Sequence, residues 1–174
     1  MSNLIDIDEA TQRISIKTSK GAIILLDFMA AFPSMDHVFI WDTLKATGLP
    51  LEFIRAIRLL YIENTHFLRL QGTLFEGPPV YIGVRQGCPL SGLLFAICAD
   101  VLLIRLEKIL VGDDELARAF ADDTAAVVQD YSKTIGTLTN IFREYASISC
   151  LELNIYKTVF IPLWPLSSFR GLEI

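Results

Sequence analysis

Five consecutive apolar residues, Ala22 to Leu26, run straight into a carboxylate at Asp27. An unbroken apolar run of that length predicts a central strand covered on both faces. Ahead of it, residues 6–19 carry the pattern of a weak, polar helix. Behind it, helical periodicity covers 35–47, stops at Gly48-Leu49-Pro50, and resumes over 51–63. Segments 67–71 and 79–82 are alternating or β-prone, and Gly72 and Gly77-Pro78 punctuate them as a hairpin.

Pro89 suits the first turn of a long helix over 89–110, because its missing N–H costs nothing there. Gly112-Asp113-Asp114 ends that helix. Two short runs, 116–120 and 124–128, flank Ala121-Asp122-Asp123 and predict a tight β-hairpin. A helix over 133–149 and a short strand over 158–161 complete the order. The pattern predicts the α+β class, an antiparallel sheet with helices packed on one face. No repeat, low-complexity tract or linker divides the chain.

Composition sharpens this picture. At 174 residues and 52% hydrophobic, with a mean hydropathy of +0.46, the chain can bury a sizeable core in a single domain. A net charge of −5 and an isoelectric point near 5.0 argue against a broad basic face that would hold nucleic acid unaided. Cys88, Cys98 and Cys150 lie far apart without metal-ligand spacing, which fits a reduced, intracellular setting, nuclear or cytoplasmic. The longest apolar run, 90–104, contains Asp100 and falls short of a membrane span, so no membrane partner is expected.

Candidate chemistry begins with the carboxylates. If the 22–26 strand lay beside the 116–120 strand, Asp27 and Asp122 would project from one sheet edge although far apart in the chain. Carboxylates pressed together repel unless a divalent cation neutralises them, and oxygen-only ligation suits Mg²⁺. Each signal alone has an ordinary explanation: Asp27 can cap a strand end, and aspartate pairs are common in turns. Between them lies Gly83-Val84-Arg85-Gln86-Gly87-Cys88-Pro89-Leu90-Ser91, a loop-to-helix transition leading into a core stripe of Leu93, Leu94, Ile97, Val101 and Ile104.

LLDFMAAF, GVRQGCPLSGLLF, AFADDTA and LELNIYKT stand in the order and spacing of motifs A to D of reverse transcriptases, and most resemble those of non-LTR (LINE-like) retrotransposons. The resemblance covers about residues 5–162 and implies a polymerase palm, with two Mg²⁺ ions, or Mn²⁺ in their place, as cofactors. It makes Asp27, Asp122 and Asp123 the metal-binding catalytic carboxylates. It places the Phe28 backbone on the incoming triphosphate and its metal. Phe32 falls at the bulky position that selects deoxynucleotides. Arg85, Gln86, Gly87 and Ser91 fall on the loop against template, primer and nascent base pair, Gln86 nearest the nucleotide. Lys157 corresponds to the lysine beside the departing pyrophosphate. The implied partners are an RNA template, a DNA primer and a dNTP.

Some positions depart from that pattern. Ala30 and Pro33 flank Ala31-Phe32 where lysine and aspartate are usual, which predicts altered packing after Asp27. Phe120 replaces the commoner tyrosine, and Cys150 stands where glycine is frequent. Only 26 residues precede Asp27 and 17 follow Lys157. By the resemblance, then, residues 1–174 form one partial domain, with most of the fingers and the thumb absent and another segment or chain needed for tight nucleic-acid binding. Two readings follow: a polymerase palm with little activity alone, or a catalytically dead retroelement relic that serves as a protein-interaction domain.

Overall fold

The computed structural model describes residues 2–62 and 65–164. Their order is α1 (Ser2–Lys17), β1 (Ala22–Leu26), α2 (Ala31–Ser34), α3 (His37–Ala46), α4 (Leu51–Leu59), β2 (Phe67–Leu70), β3 (Thr73–Glu76), α5 (Pro89–Glu107), β4 (Leu116–Phe120), β5 (Asp123–Val128), α6 (Tyr131–Ser149), a 3₁₀ turn (Ile155–Lys157) and β6 (Val159–Pro162). The expected α+β class, an antiparallel sheet carrying a helical layer, is what the chain adopts.

The main sheet runs β4-β5-β1-β6, every neighbour antiparallel. This corrects one expectation. β1 does not lie beside β4; β5 sits between them, and β1 is flanked by β5 and β6. Ala22, Ile24 and Leu26 alternate to one face, where they join Ala126 and Val128 against α3, α5 and α6. Phe95, Cys98, Leu102 and Leu106 of α5 and Leu138, Phe142 and Tyr145 of α6 fill that layer. Burial pushes the Cys98 thiol up to about 12, against a smaller opposing hydrogen bond with Thr43, so this cysteine is an inert core residue.

The opposite face is only partly covered. Ala10 and Ile14 of α1 pack on Val127, with Ile7, Leu116 and Leu163 alongside. Asp114, buried just before β4, pairs with Lys17 and, at 3.6 Å, with Arg13, both on α1. The Lys17 hydrogen bond holds the Asp114 carboxyl below the usual carboxylate range, with Coulomb attraction to both cations adding to it against the opposing effect of burial. The rest of that face, around Leu25, stays open.

Several boundaries differ from expectation. Residues 79–82 form no strand: β2 pairs with β3 across the two-residue turn Gln71-Gly72, and Ile82 makes only an isolated bridge to Asp36. The helix expected over 51–63 ends at Leu59, and Glu63 itself lies outside the described residues. Asp36 caps α3 by accepting from the Phe39 N–H at 2.9 Å, which delays that helix to His37. With 19 residues, α5 is long and apolar enough to cross a membrane, unlike the shorter run expected. The stripe it buries is also not the expected one: Leu94, Phe95, Cys98, Leu102 and Leu106 face the core, whereas Leu93, Val101 and Ile104 are exposed and Ile97 is half-buried.

Candidate active site

The sheet register positions the carboxylates. Leu26 pairs with Thr124, so Asp27, one residue further on, leaves β1 at the edge where Asp123 begins β5. Strand alternation then turns Asp27 with Leu25, and Asp123 with Ala125, to the open face. All four line one cavity of about 750 Å³, together with Arg118, Phe120, Lys157 and Val159 of the sheet side and Asn3, Leu4 and Ile7 of α1. An apolar strand ends in a charge because its last side chain leaves the covered part of the sheet and meets this opening.

The next turn of chain is tied to the same point. Asp27's carbonyl accepts from the Asn154 N–H at 2.8 Å, and Met29 N–H donates to Glu152 at 2.8 Å. Asn154 Nδ2 lies 3.4 Å from Asp27 Oδ2, and Lys157 Nζ lies 3.3 Å from that oxygen. Lys157 thus meets Asp27, as a shared site requires. Cys150 closes α6 in the left-handed region at φ 60, adopting the conformation for which glycine is favoured, and so keeps the turn that leads here.

Asp122 stands apart from this group in one respect. It occupies the turn between β4 and β5 behind Ala121, whose φ is 54, on the same sheet edge but outside the cavity lining. Among the described residues no three His, Cys, Asp or Glu side chains gather as a metal cluster. The three-carboxylate site expected from sequence is therefore not assembled by these side chains alone. The donors present are nonetheless oxygen-only and suit a hard cation that completes its shell with water and substrate phosphates. Asp27, Asp123 and Asp122 are the residues that fit.

Phe28 turns its ring into the core against Phe142 and Tyr145, and its main chain bridges Leu153. Phe32 stacks on Phe95 with ring centroids 4.8 Å apart. Neither lines the cavity. The loop residues form a separate group. Gln86 and Gly87 are exposed, Gly87 at φ 81, and Arg85 lies 5.6 Å over the Tyr61 ring. Ser91 is buried in the first turn of α5, its hydroxyl without a hydrogen-bond partner among the described residues.

That loop is clamped to the segment after Asp27. Gly83 N–H donates to Met35 and Val84 N–H to Phe32, both at 2.7 Å. At φ 88, Gly83 approaches so closely that a Cβ would fall 2.5 Å from the Pro33 carbonyl oxygen. Sequence reasoning missed Asn154 and the α1 contribution. Asn154 stands three residues before Lys157, a readable signal in LELNIYKT. The Asn3 bond to the Ala119 carbonyl and the Asp6 ion pair with Arg118, at 3.1 and 3.0 Å, had no local signal.

The chain is similar to known proteins in sequence and in fold. Residues 1–165 match the family described as reverse transcriptase (RNA-dependent DNA polymerase), and the chain belongs to that family. It is 34% identical over 140 residues to the retrovirus-related Pol polyprotein from type-1 retrotransposable element R2 of Nasonia vitripennis, covering 78% of this chain and 13% of that protein. The corresponding R2DM polyprotein of Drosophila melanogaster is 34% identical over 136 residues, covering 76% and 13%. A 149 kDa protein of transposon TX1 from Xenopus laevis is 32% identical over 116 residues, covering 63% and 9%. The chain thus spans a small part of these relatives. Its fold matches telomerase from Candida tropicalis with a TM-score of 0.74 at 14% identity, over 92% of this chain and 29% of that one. These relatives place the chain with the reverse transcriptases of non-LTR elements.

Proposed function

We propose that this chain is the palm of an RNA-directed DNA polymerase, joining dNTPs to a primer 3′-OH on an RNA template, as part of a longer polypeptide or assembly. The carrying observation is that Asp27, just past the end of β1, and Asp123, the first residue of the neighbouring β5, open with Lys157 on one cavity at the sheet edge. Two Mg²⁺ ions, or Mn²⁺, would when bound activate the attacking hydroxyl and offset charge on the leaving oxygens. Asp27 and Asp123, with Asp122 in the adjoining turn, would hold them.

The remaining roles are carried over from the motif resemblance. The Phe28 main chain would lie against an incoming triphosphate, and Lys157 near its leaving end, where a cation offsets developing negative charge. Phe32, braced on Phe95, crowds the sugar. Arg85, Gln86 and Gly87 would line the path of template and primer ahead of α5, with the buried Ser91 supporting that loop from beneath. Tight binding of nucleic acid would call on cationic surface beyond what this acidic chain carries, since phosphate affinity is mainly cationic.

The test is primer extension by an R2-type polyprotein carrying this palm in place of its own. Mg²⁺-dependent extension that disappears on Asp122→Ala is expected, with little extension by the isolated chain. Extension unaffected by Asp27→Asn or Asp122→Ala sinks the assignment. In the same assay Phe32→Ala should raise ribonucleotide incorporation, and an unchanged sugar preference removes Phe32 from the site. A second reading, an interaction domain without catalysis, draws on Phe67, Leu68, Leu70, Leu74 and Phe75, all exposed on one hairpin. Inactivity of the carrier polyprotein, together with self-association of this chain in light scattering, would favour it.

A further inference from the structure

We infer that Lys157 is the built-in counterion of Asp27 and competes with a divalent cation for its carboxylate. The inference rests on the metal-binding reading above and deepens it. Lys157 Nζ stands 3.3 Å from Asp27 Oδ2 on a side chain that is 69% exposed, while that of Asp27 is 20% exposed. The lysine is not placed there by chance rotamer choice alone. Asn154 donates its main-chain N–H to the Asp27 carbonyl, and its own carbonyl accepts from Lys157 N–H at 3.1 Å and from Thr158 N–H at 3.0 Å. The Thr158 hydroxyl donates to the same carbonyl at 3.0 Å. The 3₁₀ turn is thereby fastened to the end of β1, and the base of the Lys157 side chain with it.

Charge bookkeeping at the cavity follows from these contacts. Its other lining cation, Arg118, is paired with Asp6 of α1. Lys157 is therefore the cation that offsets Asp27. The Lys157 and Asn154 contacts both fall on Oδ2, and a divalent ion on either oxygen of the carboxylate would stand close enough to the ammonium for two positive charges to repel. The long, exposed lysine stem can swing while the turn stays anchored. Loading of the cation then releases the ammonium toward incoming phosphates, so one side chain serves Asp27 first and the triphosphate afterwards.

Mn²⁺ binding to the 174-residue chain, followed by loss of the free-ion electron paramagnetic resonance signal, tests this directly. Lys157→Met should bind Mn²⁺ more tightly by about two- to fivefold, the range an exposed ion pair commands. Lys157→Arg should stay close to the parent, and Asp27→Asn should lose the site while keeping its circular dichroism spectrum. Loss in Asp27→Asn with no gain in Lys157→Met overturns the counterion role and leaves the metal site standing. No specific Mn²⁺ site on the parent, or full binding by Asp27→Asn, overturns the metal reading and the counterion role with it.

Discussion

Two β-hairpins in this molecule share a local plan and differ in everything around them. β2–β3 and β4–β5 are both antiparallel, and both turn through two residues whose first has a positive φ without being glycine, Gln71 at 47 and Ala121 at 54. In β4–β5, residues 124–128 are all buried, the strand lying between the helical layer and α1. Every residue of β2 and β3 is exposed, including five large apolar ones. An isolated two-stranded hairpin is marginal in water. The difference teaches that hairpin chemistry alone makes no site: Asp123 is held because β5 is paired with β1 and packed on two faces, which the other hairpin lacks.

The strongest attempt to break this contrast is a matched pair of substitutions. Ala126→Asp puts a charge at a fully buried position of β5 and should cost at least about 3 kcal/mol, enough to unfold a marginal domain. Leu74→Asp on β3, 57% exposed, should change stability by no more than about 0.5 kcal/mol in chemical denaturation. Equal losses would mean that β2–β3 is packed against something in solution.

Next in size is Gly83→Ala, which strains a positive φ and drives a Cβ into Pro33 where the chain returns from the exposed hairpin. A loss of about 2 kcal/mol in urea denaturation is expected. A neutral result would show that the loop before α5 is free of the segment after Asp27.

Smaller still is the acid response of the α1 clamp over β4–β5. Because the folded Asp114 carboxyl titrates below its ordinary value, its contribution is complete above the usual carboxylate range near about pH 4 and fades as pH falls through the depressed folded value. The stability gap between the parent and Asp114→Asn should therefore be open at neutral pH and close in acid. A gap independent of pH would mean that Lys17 and Arg13 do not hold α1 through charge.

Much was legible before any coordinates. The run Ala22–Leu26, buried on alternate residues and flanked by strands on both sides, reads as a central strand because continuous apolarity has no other economical fate at that length. Pro89 sits in the first turn of α5 as its missing N–H favours. The hairpin partner differs from expectation because Gly72 is half of a two-residue turn, so β3 begins at once at Thr73. Pro78 and Pro79, which cannot donate to a ladder, are a local signal against a strand over 79–82, and pairing register fixes Thr73–Glu76 instead.

What the sequence by itself determined was the family, the identity of the acidic and basic side chains, and the two periodicities that sort them into strands and helices. The tertiary structure alone decided that β5, not β4, lies against β1, that Asp123 rather than Asp122 shares the cavity with Asp27, and that Asn154 fastens Lys157 to them. The reason is physical. Periodicity is a property of neighbours along the chain, but strand order and cavity lining depend on which surfaces bury one another, and those surfaces come from segments with no local knowledge of each other.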